Sequence, residues 1–218
     1  VNNTAAAKYS VAYTIALAVT MVWTAINGSL IPYTYEKCKN NDFKSISNIT
    51  SPILISYAAM CVVLILLAPE MLRIMAPASY YESVYIIPPI VGGIFFTSMY
   101  FVFANVVYYY KKPKYVMFAS VTAASLNIAL NWFFIPRFGY FVAGYTTLFC
   151  YLTQAVFDYY AMKKVVGKSI YNMRLLTALG MVMVCISLVS SFLYHSDVLR
   201  YGLIAVVFLL AIIFRHKV

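Results

Sequence analysis

Six polar side chains lie inside long apolar runs of this 218-residue chain: Asn27, Asn105, Asn127, Asn131, Gln154 and Asp158. Five are amides, which offer donors and an acceptor to hydroxyl groups without a charge to desolvate. That chemistry suits a path for sugars. It suits equally the hydrogen bonds that glue apolar helices together, each contributing under about 2 kcal/mol. Asn127 and Asn131 are four residues apart and so share one helix face. Both readings, glue and cavity lining, stay open for them. Asp158 is a candidate for ion coupling by a proton or cation, because an acid at membrane depth is a functional hypothesis by default. Its neighbours Tyr159, Tyr160, Lys163 and Lys164 offer the plainer alternative of an interfacial acid with positive partners.

Two further groupings bear on motion rather than binding. Pro88 and Pro89 followed by Gly92 and Gly93 make a hinge candidate, since proline removes backbone donors and glycine tolerates the bend. The alternative is that the prolines simply start a helix. Glu70 and Arg73 are three apart and read as an intrahelical ion pair rather than a gate. No GxSxG, HExxH, Walker loop or Gly-rich dinucleotide fingerprint occurs, so the chain does not read as an enzyme and no cofactor is expected. Its four cysteines lack CxxC spacing, and neither a disulfide framework nor a metal site follows from them. Cys61, Cys150 and Cys185 fall in apolar runs, whereas Cys38 falls in a polar stretch where a thiol reagent should reach it.

The elements that position these residues follow from composition. The chain is 64% hydrophobic and only 10% charged, against roughly 25% charged in an ordinary soluble domain. The expected fold is all-α, a polytopic transmembrane helix bundle. Seven segments have the roughly 20 apolar residues that a crossing needs. They are about Tyr9–Ile31, Pro52–Met75, Val84–Tyr110, Tyr115–Ile135, Tyr140–Met162, Leu175–Tyr194 and Val198–Phe214. Pro32 and a polar loop end the first. The fourth and fifth form a hairpin in which Pro136 stops one helix and Gly139 opens the reversal into the next.

A net charge of +10 could suggest nucleic acid, but the basic residues fall between apolar runs rather than on a soluble face. Short loops rich in Lys and Arg stay cytoplasmic. Alternate connections carry Lys37, Lys39, Lys44, Lys111, Lys112, Lys114, Lys163, Lys164, Lys168, Arg174, Arg215 and Lys217, which is 12 of the 16 basic residues. The remaining connections hold Lys8, Arg73, Arg137 and Arg200. This places the N-terminus outside and the C-terminus in the cytoplasm. Tyr108 to Tyr110, Tyr159 and Tyr160 then fall at the inner interface, with Trp132, Phe133, Tyr140 and Phe141 at the outer one, where amphipathic rings anchor helices. His195 and His216 would lie at opposite faces and could not share a site.

The pattern N-I-x-L-N-x-x-F-I-P-x-F-G-Y-x-x-A-x-Y-T-T-L, from Asn127 to Leu148, resembles the Wzx-type polysaccharide and oligosaccharide flippases. These belong to the multidrug/oligosaccharidyl-lipid/polysaccharide (MOP) exporter superfamily. The helix that opens KYSVAYTIALAV at Lys8 and the stretch YYYKKPK from Tyr108 to Lys114 are similar as well, so the resemblance covers most of residues 8–165. It implies a transporter that moves an undecaprenyl-diphosphate-linked oligosaccharide across the bacterial cytoplasmic (inner) membrane for O-antigen, capsule or exopolysaccharide synthesis. It also implies a single membrane domain, 1–218, forming the C-terminal portion of a two-lobed protein. Residues 1–165 would supply second-lobe helices and 166–218 two additional helices, with a missing N-terminal lobe as partner. Other expected partners are the lipid-linked oligosaccharide, membrane lipids and polysaccharide polymerase or export proteins, and no nucleic acid. The chain opens on Val-Asn-Asn-Thr without an initiator Met or signal sequence, which fits a piece of a longer protein. Rival readings are a MATE-type cation-coupled drug exporter, which should hold several intramembrane acids, and a non-catalytic scaffold of a polysaccharide assembly complex.

Overall fold

The computed structural model describes residues 3–214, and Arg215, His216 and Lys217 lie outside them. The described chain is all-α. Its elements are α1 (Asn3–Lys39), α2 (Phe43–Leu66), α3 (Ala68–Met75), a 3₁₀ segment (Ala78–Ile86), α4 (Ile87–Tyr109), α5 (Pro113–Phe138), α6 (Val142–Val166), α7 (Met173–Leu193) and α8 (Asp197–Phe214). Five stretches among the described residues are long and apolar enough to cross a membrane: α1, α2, the 3₁₀ segment with α4, α5 and α7. The expected fifth and seventh spans fall in α6 and α8, which are not among these five. α6 has the length but is diluted by Gln154, Asp158 and a run of tyrosines.

The element boundaries depart from expectation wherever proline was taken as a stop. α1 runs straight through Pro32 to Lys39, 37 residues in all, or about 55 Å of helix against the roughly 30 Å of a hydrocarbon core. A proline deletes one bond and crowds the carbonyl four residues back, here that of Gly28, and an otherwise continuous helix absorbs this. The polar loop shrinks to Asn40–Asp42. Asp42 then caps α2 by accepting from the Ser45 amide at 3.2 Å. α2 therefore begins nine residues before Pro52, which sits inside it. α5 likewise passes Pro136 and ends at Phe138, and the reversal is made by Gly139 at φ +77°, where a side chain would be strained.

Conversely, the single span expected over Pro52–Met75 is two helices broken at Leu67. Pro69 cannot donate to the carbonyl of Ile65, so the α2 ladder ends there and α3 restarts with Pro69 in its first turn.

α4 is the centre of the bundle. It lies against α6 along most of its length and also meets α1, α7 and α2. Gly92 faces Ser187 and Leu148, Gly93 faces Tyr151 and the Leu148 backbone, and Gly144 of α6 faces Pro89 and Ile86. A side chain at any of these would hold the helices apart. Phe95 stacks on Tyr57, which in turn meets Trp23, linking α4, α2 and α1. α5 stands outside this core and packs chiefly on α6; α8 is held lightly, by α2 and α7.

Charge sorts by the ends of the bundle. At one end the α1–α2, α4–α5 and α6–α7 connections meet: Asn41, Phe43, Tyr110 and Val165–Lys168 line a common recess, with the Lys168 ammonium 4.6 Å from the Phe43 ring. At the other end Lys8 pairs with Glu82 at 2.6 Å, and Arg200 pairs with Glu70.

Candidate functional site

The six polar residues of the apolar runs do not form one cluster. The fold places five of them on two seams of the bundle, which differ in how enclosed they are, and sets Asp158 apart. Between α1 and α4, the Asn105 amide donates to the Asn27 carbonyl oxygen at 2.8 Å, and both residues are buried. These two amides face each other 78 positions apart in the chain, as interhelical glue does.

Between α5 and α6 the arrangement is more open. The four-residue spacing brings Asn127 and Asn131 together as expected, with the Asn131 amide donating to Asn127 at 2.9 Å. Thr146 of α6 donates to the Asn131 oxygen at 2.6 Å, tying the hairpin across its seam. Both asparagines are only half-buried, and an amide has two donors as well as its acceptor. This seam differs from the Asn27–Asn105 pair in exposure: its two asparagines are half-buried, whereas Asn27 and Asn105 are buried. Lower on the same seam, Gln154 donates to the Ser120 hydroxyl at 3.1 Å. Ala119 and Ala123 are buried there and let the two helices approach, while Ala124 is exposed.

Asp158 is different in kind. It is fully buried, and neither carboxylate oxygen has a hydrogen-bond partner among the described residues. The positive partners expected from its neighbours in sequence do not reach it: Lys163 and Lys164 are exposed, whereas Asp158 is buried.

The hinge candidates lie in the most enclosed helix. Pro88 and Pro89 occupy the first turn of α4, where a missing N–H costs nothing, and the 3₁₀ segment precedes them. Gly92 and Gly93 mark close helix contacts rather than a break. These positions match the helix-start alternative.

Sequence reasoning missed the densest polar cluster. Arg200, placed by its position in a loop, has 1% of its side chain exposed. It makes two bonds of 2.8 Å to the Glu70 carboxylate, a third to Asp197, and a fourth at 3.0 Å to the Leu66 carbonyl. Tyr201 donates to Glu70 at 2.9 Å, and the Tyr194 hydroxyl donates to the Ile65 carbonyl at 2.8 Å. The expected Glu70–Arg73 pair does not form, because Glu70 is committed to Arg200. One signal was legible: Pro69 leaves the Ile65 carbonyl short of a donor, and such an oxygen must be paired elsewhere. Its donor lies 129 residues away, beyond the reach of spacing arguments.

The cysteines also shift. Cys38 is buried at the end of α1 instead of open in a loop, while Cys185 lies exposed on the outer surface of α7, one of the helices long and apolar enough to cross a membrane. Among the described residues no group of three or more His, Cys, Asp or Glu side chains could hold a metal ion. No protein-family model, curated protein or solved structure matches the chain.

Proposed function

We propose that the chain is one lobe of a membrane transporter of the flippase type. It carries a lipid-linked oligosaccharide across a bacterial cytoplasmic membrane for surface polysaccharide synthesis. In this reading it contributes about seven spans, with the N-terminus outside and the lysine-rich end of the bundle in the cytoplasm, and a second lobe completes the path. The observation that carries the proposal is the half-open amide seam between α5 and α6. Asn127, Asn131 and Thr146 form a linked polar group in an apolar hairpin, and both asparagines are partly exposed. That hairpin is also the segment whose residue pattern resembles the polysaccharide flippases.

The test is complementation of a flippase-deficient strain with the complete transporter carrying Asn127→Leu or Asn131→Leu, with abundance and flipping measured on the same membranes. Each variant should lose flipping while most of the folded protein remains, and Asn→Ser variants should recover much of it. Normal flipping per folded molecule in both Leu variants would remove the sugar path from this seam. Orientation is tested separately with Asn40→Cys, an exposed position on the lysine-rich side, because native Cys38 is too buried to report. An impermeant thiol reagent should label it only after the membrane is opened.

A second reading, a cation-coupled exporter of the MATE type, is favoured by one specific observation: the buried, unpartnered carboxyl of Asp158. Loss of ion-driven export with Asp158→Asn, at normal abundance, would choose it over the oligosaccharide reading.

A further inference from the structure

The lysine-rich end of the α5–α6 hairpin holds an open groove of about 950 Å³. Lys111, Lys112, Lys114 and Lys164 line it, together with aromatic side chains that include Phe118 and Phe157. The lysines are exposed, and no acid is among the lining residues. The chain contains six carboxylate side chains, and each is engaged or enclosed elsewhere. Glu36 pairs with Lys37, Glu82 with Lys8, and Glu70 and Asp197 with Arg200. Asp42 caps α2, and Asp158 is buried. The groove is thus a concentration of positive charge that the protein itself cannot neutralise.

Two details give the groove a direction. Lys111 adopts φ +54°, a left-handed turn at the end of α4 that glycine would accept without strain. At the opposite limit, Phe118 and Phe157 meet edge to face at 6.3 Å and are themselves exposed. Beside them and one turn further on, α5 exposes Met117 and Val121. The cationic mouth therefore adjoins exposed apolar side chains of α5 and α6. A free anion would use only the first of these features. A ligand with a phosphate at one end and hydrocarbon at the other would use both, and basic pockets between helices at a membrane surface take anionic headgroups.

We infer that this groove binds an anionic phospholipid, with its phosphate among Lys111, Lys112, Lys114 and Lys164 and an acyl chain along Phe118 and Phe157. The inference does not depend on what the protein transports.

The experiment is native mass spectrometry of the delipidated full chain in detergent, titrated with phosphatidylglycerol, phosphatidylethanolamine or inorganic phosphate. Phosphatidylglycerol should be retained and phosphatidylethanolamine should not. The triple variant K112Q/K114Q/K164Q, at exposed positions, should weaken phosphatidylglycerol binding by about tenfold or more. A control of equal charge loss in the α1–α2 region, K37Q/K39Q/K44Q, should change it by less than about twofold. Equal loss in both triple variants would mean diffuse attraction to a basic surface and would overturn the site. Equal retention of the zwitterionic lipid would do the same. Displacement of phosphatidylglycerol by millimolar inorganic phosphate would show an anion site without a lipid component, and the proposal would fail.

Discussion

Helices α4 and α5 are close in sequence character and opposite in circumstance. Both are apolar, both exceed 22 residues, and both open with proline in the first turn rather than with a side-chain cap. Yet 83% of the apolar window ending in α4 is buried within the protein, against 11% of the window in α5. The difference lies in where small residues fall. α4 has Gly92, Gly93, Ser98 and Ala104, all buried, so neighbours close on it from several sides. α5 has one small-residue seam, at Ala119 and Ala123, and large exposed side chains elsewhere, Trp132 and Ile128 among them. In an apolar medium hydrophobicity does not drive helices together, so volume and polar contacts decide which helix becomes the core.

The strongest way to break this comparison is at Gly92. Gly92→Leu would drive atoms into Ser187 and Leu148 and should destabilise the bundle by about 3 kcal/mol. The readout is loss of monodisperse protein and a lowered unfolding midpoint in detergent. Trp132→Ala on the outer face of α5 should stay within about 0.5 kcal/mol. Comparable losses in the two variants would mean that α5 is as enclosed as α4.

α8 sharpens the comparison as an edge helix held by charge rather than by packing. Arg200→Leu would strand the Glu70 and Asp197 carboxylates and the Leu66 carbonyl. Full burial of such a pair would put the loss at 3–5 kcal/mol; the partial exposure of the two acids reduces it to about 2 kcal/mol. Hydrogen exchange should then rise in α8 and α3 before it rises in α4. Unchanged protection of α8 would show that its apolar contacts alone hold it.

The amide pairs give a smaller, graded contrast. Asn105→Leu leaves the buried Asn27 without its partner and should cost about 1–2 kcal/mol. Asn131→Leu, on the half-open α5 seam, should cost about 0.6 kcal/mol. Chemical denaturation of both variants checks the order.

The smallest effect belongs to a helix start. The Ser45 hydrogen bonds hold the Asp42 carboxyl below the usual carboxylate range. A lowered pKa means that its stabilising contribution is present above the ordinary Asp value and is lost as pH falls through the folded value. Exchange protection of the first α2 amides should therefore fall below about pH 4. α4 and α5 have no side-chain cap to protonate, and their first turns should show no matching step.

Much of the helical framework was legible from the chain alone, because helix formation and apolar content are local properties. The reversal at Gly139 was visible because its backbone conformation favours a residue without a side chain. The Asn127–Asn131 contact followed from a spacing of four. Proline was the unreliable signal. Pro32, Pro52 and Pro136 lie within helices and Pro69 stands in the first turn of a new one, so proline by itself does not mark where a helix ends.

The sequence by itself determined that the chain is helical and apolar, and that its lysines gather in alternate connections. Only the tertiary structure decided that α4 is the core and α5 the rim, that Glu70 belongs to Arg200 130 residues away, and that Asp158 has no partner among the described residues. The physical reason is one of range. Backbone conformation and water avoidance are set within a few residues, whereas a buried charge or amide is satisfied by whichever distant helix the packing brings beside it.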